Sequence, residues 1–184
     1  GVIEPWEDKA AVTALMAQPP APGKVVKETK IDSIGVTEWT LSNGVRVIVK
    51  PTDFEKDAVT ISGSSPGGLA VATAAQFNDA RFADDVVGMG GVGELDSDAL
   101  TKALAGKRVS VSASIGEVQE GVDGSGSVRD LETILQLMHL RMTAPRKDDA
   151  IVGVWKTNFA EQLENQLRSP DVQFQRQAQE LLDA

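Results

Sequence analysis

The strongest constraint on the fold is a turn, Ser42-Asn43-Gly44, between two β-forming runs. Residues 38–41 alternate polar and apolar side chains, and residues 45–49 are rich in valine and isoleucine. Asn-Gly between two such runs favours a hairpin, because a tight type I′ turn needs positive φ at both central positions. The sequence therefore predicts an antiparallel hairpin with a type I′ turn.

The later segments predict strands that come in hairpins and helices that come in groups. We expect a strand over 58–63, helices over 72–89 and 96–105, a strand over 107–114 with a partner over 117–125, and a helix that opens at a capping box of Ser127 and Asp130. The apolar stripe of that helix comprises Leu131, Ile134, Leu135, Met138 and Met142. A last helical stretch from about 148 breaks at Ser169-Pro170-Asp171. This order predicts an α+β fold in which helices pack a mostly antiparallel sheet.

An arm over residues 1–35 is expected to precede a main domain over 36–184. A short helix over 6–17 stops at a proline-rich stretch, 18–23, and residues 24–34 are polar and extended. The chain does not open on a basic region followed by an apolar stretch, so we expect no signal peptide. No apolar run reaches the ~18–20 residues of a membrane span.

Composition excludes much familiar chemistry. The chain has no cysteine, which removes thiolate nucleophiles and cysteine–zinc sites, and a single histidine, His139. His139 is expected to be a boundary residue, because the sequence offers no nucleophile for it to activate. The net charge of −9 argues against nucleic acid as a partner, because binding a phosphate backbone requires a basic surplus.

Two local motifs have both a functional and a structural interpretation. Residues 88–93 match G-x-G-x-x-G, but a predicted helix precedes them, whereas a dinucleotide site needs a strand there. We therefore expect a helix C-cap and loop. Asp84 and Asp85 leave a hard-metal site open, although carboxylate pairs are common on exposed helix faces.

Residues 36–184 resemble the M16 (pitrilysin/insulinase-type) zinc peptidases. Trp39–Val49 resembles the opening L-x-N-G hairpin of that family. Segments similar to those of the second half of its bacterial PqqL-like branch are Lys50-Pro51-Thr52-Asp53-Phe54, Ser65-Pro66-Gly67-Gly68 and Arg81-Phe82-Ala83-Asp84-Asp85-Val86-Val87. The resemblance implies a LuxS/MPP-like metallohydrolase fold and a match to the third of four related domains. Whether this degenerate domain is truncated at its C-terminus stays open.

The departure from the zinc motif decides what the resemblance implies. The positions of H-x-x-E-H hold Arg81, Asp84 and Asp85, so both imidazole ligands are missing. The third ligand of the family, a later glutamate, corresponds to Glu161 or Glu164. One carboxylate cannot hold zinc where three protein ligands are needed, and without the metal no water is activated. We expect no catalytic residue, metal or cofactor in this domain. Because positions 81, 84 and 85 share a helix face, we expect Arg81 to neutralise the two carboxylates.

The resemblance also implies partners and a place of action. An active M16 half, in cis or in trans, would carry zinc, and the two halves would enclose a peptide substrate in the periplasm. This domain would supply wall and scaffold, and its acidic surplus would favour basic peptides if it faces the chamber. Two alternatives stay open: an assembly module that docks a partner along a strand edge, and an independent hydrolase that uses carboxylates and a hard cation.

Overall fold

The computed structural model describes residues 14–182 and has the predicted α+β class. The described chain forms strands β1 (Val25–Ile31), β2 (Val36–Leu41), β3 (Arg46–Val49), β4 (Val59–Pro66), β5 (Val109–Ile115) and β6 (Gln119–Gly126). Its helices are α1 (Phe77–Arg81), α2 (Ala83–Met89), α3 (Ser97–Ala103), α4 (Leu131–Thr143), α5 (Asp149–Arg168) and α6 (Pro170–Leu182). The strands form two antiparallel sheets of three, ordered β1-β2-β3 and β4-β6-β5.

The predicted hairpin is present as β2 and β3, with Thr40 opposite Arg46. The expected type I′ turn is wrong, because only Gly44 of the loop has positive φ, at 86°. Gly44 N–H donates to the Leu41 carbonyl, and Asn43 Oδ1 accepts from Val45 N–H. The loop is thus a three-residue connection that ends on a left-handed glycine. β1 pairs with β2, so this sheet crosses the boundary expected between residues 35 and 36.

The second sheet packs against α4, where the core lies. Ile134 is fully buried, and Val122 and Met138 complete its buried cluster with the sheet. Gly124 of the central strand lets the helix approach, because a Cβ there would lie 2.7 Å from Ile134 Cγ2. β5 and β6 form the hairpin that the sequence predicts.

The stripe expected on α4 is partly wrong. Ile134 and Met138 are buried as expected, but Leu135 and Met142 are about half exposed. The helix also buries Leu137 and Leu140. These two side chains pack with Val92, Leu95 and Leu100, which come from the glycine loop and α3. A helix that packs between a sheet and a loop buries two adjacent faces, which a single stripe does not describe.

The expected capping box is also wrong. Ser127 Oγ donates to Asp57 Oδ1 at 2.6 Å, in the loop before β4. Asp130 Oδ2 accepts from Arg108 N–H at 3.0 Å. Both side chains therefore bind other parts of the chain, and neither caps the helix.

The helix predicted over 72–89 is interrupted. Residues 72–76 are not helical, and Phe82 separates α1 from α2 with ψ of 5°. At the two ends of the chain, the break between α5 and α6 falls at Ser169 as expected. Of the helix predicted over 6–17, residues 6–13 lie outside the described residues, and 14–17 are not helical.

Candidate functional site

The site of interest lies on α1 and α2, which hold the three positions of the zinc motif. Asp84 is the best-anchored of them, since its Oδ2 accepts from Ile115 N–H at 3.1 Å. Its Oδ1 accepts from Asp85 N–H, also at 3.1 Å. Ile115 ends β5, which among the described strands pairs only with β6, so its outward N–H groups are open to other acceptors. Asp84 thus fastens α2 to the edge of the second sheet.

Arg81 does not neutralise the two carboxylates. Within residues 14–182 no ion pair joins it to Asp84 or Asp85, and its guanidinium carbon lies 5.6 Å from the centre of the Phe82 ring. The prediction required one continuous helix, in which residues three and four apart face the same way. The break at Phe82 removes that relation, so the expected cluster is absent.

The candidate third ligands on α5 do not join the site either. Trp155 and Phe159 meet Phe82 from α5, with ring centroids 5.3 and 5.2 Å from it. Glu161 follows Trp155 by six residues and so lies about 240° further around the helix. Glu164 pairs with Arg168, four residues further along α5, at 3.1 Å.

The donor set consequently does not fit zinc. Arginine offers no metal ligand, and both oxygens of Asp84 already accept hydrogen bonds. In the part of the chain that the structure describes, no three His, Asp or Glu side chains converge in a way that could hold a metal ion. A three-ligand catalytic zinc centre therefore has no counterpart on this face.

Carbonyl groups at the start of the glycine segment accept hydrogen bonds from an arginine of α4. Arg141 Nη1 donates to the carbonyls of Val87 and Gly90, at 2.5 and 3.0 Å, and Nη2 donates to Gly88 O at 3.3 Å. These are carbonyls at the C-terminal end of α2, where the helix dipole is negative. Burial lowers the pKa of Arg141. The predicted helix cap is thus present, and the sequence did not identify its arginine partner.

A groove of about 580 Å³ runs between α2 and α5, beside the motif face, and we call it the α2–α5 groove. Its apolar floor comprises Phe82, Val86, Val87, Ile151, Val152 and Trp155. Trp155 and Phe159 stack with ring centroids 5.1 Å apart, which makes one wall rigid. Their i, i+4 spacing was a sequence signal for this wall that the motif search did not use. His139 lies elsewhere, in the lining of a second groove that also includes Met16 and other residues of α4.

No family model matches the chain. The zinc protease PQQL-like of Arabidopsis thaliana is 27% identical over 183 residues, covering 98% of this chain and 16% of that protein. The crystal structure of the periplasmic protease PqqL from Escherichia coli superposes with a TM-score of 0.73 at 25% identity, covering 89% of this chain and 18% of that one.

A third match shows the fold alone. The ferredoxin protease FusC, solved in complex with Arabidopsis ferredoxin, superposes with a TM-score of 0.76 at 21% identity, covering 98% of this chain and 20% of that one. The fold and the motif helices thus define a peptidase-like α+β domain. The chain is an M16-type zinc-protease-like domain, as the resemblance implied.

The chain spans about a sixth of the length of the curated relatives that it matches. Between residues 14 and 182, no helix combines the length and the apolar character that crossing a bilayer requires.

Proposed function

We propose that this chain is a non-catalytic domain of an M16 zinc metalloprotease and serves as scaffold and chamber wall for peptide substrates. The observation that carries the proposal is the use of Asp84. The carboxylate at the position of the activating glutamate holds α2 to β5 through Ile115 N–H. A carboxylate whose two oxygens both accept backbone hydrogen bonds is poorly placed to act as a general base towards water.

The partner in this proposal is an active half that carries H-x-x-E-H and zinc, on the same polypeptide or on a second one. The length of the relatives supports a larger assembly, because about five sixths of each lies outside the matched region. The related Escherichia coli protease is periplasmic, and we extend that location to this chain. FusC was solved with a protein bound, which supports a peptide or protein substrate here.

The proposal is tested by zinc titration and a cleavage assay on the 184-residue chain. We expect no stoichiometric zinc site in calorimetry and no cleavage of fluorogenic peptides. When the H-x-x-E-H half from the same source is added, peptides should be cleaved, and the rate should exceed that of the half alone. A tight equimolar zinc site, or cleavage that Asp84→Asn abolishes in the isolated chain, would overturn the proposal in favour of an independent hydrolase.

A second candidate function is an assembly module without a protease partner. It is favoured by the edge of β4, which among the described strands pairs only with β6. An edge strand presents unpaired backbone groups to which an extended peptide can add. The two functions differ in one measurement, since only the chamber wall should alter the activity of an H-x-x-E-H half.

A further inference from the structure

We infer that the α2–α5 groove binds a peptide segment that carries a large apolar side chain next to a carboxylate. The inference rests on the proposed function and deepens it by naming where a substrate segment lies and which chemistry it has. It runs opposite to the preference for basic peptides that the overall charge of −9 suggests.

The apolar part of the site is preformed. The floor of the groove is lined by aliphatic side chains from both helices and by the aromatic rings of Phe82 and Trp155. Those rings belong to one packed cluster with Phe159, in which each pair of centroids lies within 5.1 to 5.3 Å. A rigid aromatic wall loses little conformational entropy when an apolar side chain enters. A leucine-sized or phenylalanine-sized side chain therefore suits the groove.

The charges on the rim of the groove determine which residue suits the peptide position next to the apolar side chain. Three cations line the groove on the side of α5 and its preceding loop: Arg146, Lys147 and Lys156. Two carboxylates also line the groove. Asp148 lies on the α5 side, where it accepts from Ala150 and Ile151 N–H at the start of α5. Asp79 lies on the opposite side, on α1. The α5 side thus offers a locally basic rim in an acidic chain.

Lys156 is the cation best placed to recognise a carboxylate. It follows Trp155 directly and is exposed, and no ion pair within residues 14–182 involves it. Lys147 lies 3.7 Å from Asp149, in a pair whose two side chains are almost fully exposed. An exposed pair of that kind contributes little and is easily exchanged for a ligand carboxylate. We expect both lysines to contact the acidic residue of the peptide.

Binding is tested on the 184-residue chain with three labelled peptides of equal length. They consist of glycine and serine except at two central positions, which hold Leu-Glu, Leu-Lys or Ser-Glu. We expect the Leu-Glu peptide to bind tightest. The Ser-Glu peptide should bind about tenfold more weakly or worse, because it buries no apolar side chain. The Leu-Lys peptide should bind about fivefold more weakly, because an exposed ion pair is lost.

A charge exchange separates recognition from damage to the fold. Lys156→Glu should lower the affinity for the Leu-Glu peptide about fivefold and raise the affinity for the Leu-Lys peptide about fivefold. Lys50→Glu is the matched control, since it changes the net charge equally at an exposed residue after β3. It should change neither affinity. Equal affinities for the three peptides, or an equal response to the two lysine variants, would overturn the inference.

The position of the peptide is read from Trp155. Replacing Trp6 and Trp39 by phenylalanine leaves Trp155 as the single tryptophan. Its emission should shift on adding the Leu-Glu peptide, and peptide binding with unchanged emission would place the peptide elsewhere. If the peptide does not bind in the groove, the cleavage and zinc results stay as expected. If the proposed function is wrong, the cleavage and zinc results themselves contradict it.

Discussion

The two sheets of this domain have the same size and direction of pairing but different surroundings. No residue of β1, β2 or β3 is buried, and Ile48 of β3 is 62% exposed. The second sheet instead carries α4 on one face, with Ile134 fully buried between them. In the described chain, the strands of the first sheet make their extensive contacts only with one another.

The difference shows where the stability of the domain resides. The first sheet is supported by cross-strand side-chain pairs, such as Trp39 Nε1–H to Glu28 at 3.0 Å and Arg46 to Glu38 at 2.9 Å. Such pairs contribute roughly 0.2–1 kcal/mol each, and three strands without a packed face are marginal in water. Burial against α4 makes the second sheet the cooperative unit, and the zinc-motif helix α2 is fastened to that sheet.

The largest expected effect separates two isoleucines. Ile134→Ala should lower the free energy of unfolding by about 3–4 kcal/mol, because it leaves a cavity in the core. Ile48→Ala removes the same atoms from an exposed strand position and should cost under about 0.5 kcal/mol. Urea denaturation followed by circular dichroism measures both. Similar losses for the two variants would show that the first sheet has a packed face as well.

A glycine in the second sheet provides the next largest effect. Gly124→Ala should destabilise by about 1–3 kcal/mol, because the new methyl group would lie 2.7 Å from Ile134 Cγ2 and 2.8 Å from Met138 Sδ. Gly88→Ala is the matched control, as a Cβ there meets nothing within 4 Å and the residue lies in α2. It should be neutral or stabilise by up to about 1 kcal/mol. Equal behaviour of the two variants would contradict close packing of sheet on helix.

The sequence predicted those features whose causes are local. The turn residues Asn43 and Gly44 predicted the first hairpin, and alternating polar and apolar side chains predicted β5 and β6. Ser169-Pro170 predicted the break between α5 and α6. The features it missed depend on distant residues. Phe82 interrupts a helical pattern at the point where its ring joins two aromatic rings of α5, 73 and 77 positions later.

The candidate site divides in the same way. The motif comparison located Arg81, Asp84 and Asp85, because their spacing is a property of the sequence. It could not show that Asp84 binds the edge of β5, since Ile115 lies 31 positions away. It misjudged Arg81 because a shared helix face assumes a continuous helix. The α2–α5 groove needed the packing of both helices before it could be recognised.

The smallest expected effect is a pH dependence that distinguishes the sheets. The Ser127 hydroxyl holds the pKa of Asp57 below its usual 3.8, and Arg46 holds the pKa of Glu38 below 4.5. A lowered carboxyl pKa stabilises the fold above the ordinary pKa and ceases to do so as the pH falls through the lower value. Asp57→Asn should therefore lower the urea midpoint near pH 7, and the gap to the unsubstituted chain should narrow below about pH 4.

Glu38→Gln provides the contrast for that titration. Asp57 joins the loop before β4 to Ser127, whose side chain is buried beside the core. Loss of this hydrogen bond should therefore lower the stability of the whole domain. Glu38 pairs with Arg46 inside the first sheet, where salt screens the interaction. Glu38→Gln should leave the urea midpoint nearly unchanged and speed amide exchange only in β2 and β3. If it shifts the midpoint as much as Asp57→Asn, the first sheet unfolds together with the core, and the two sheets form one cooperative unit.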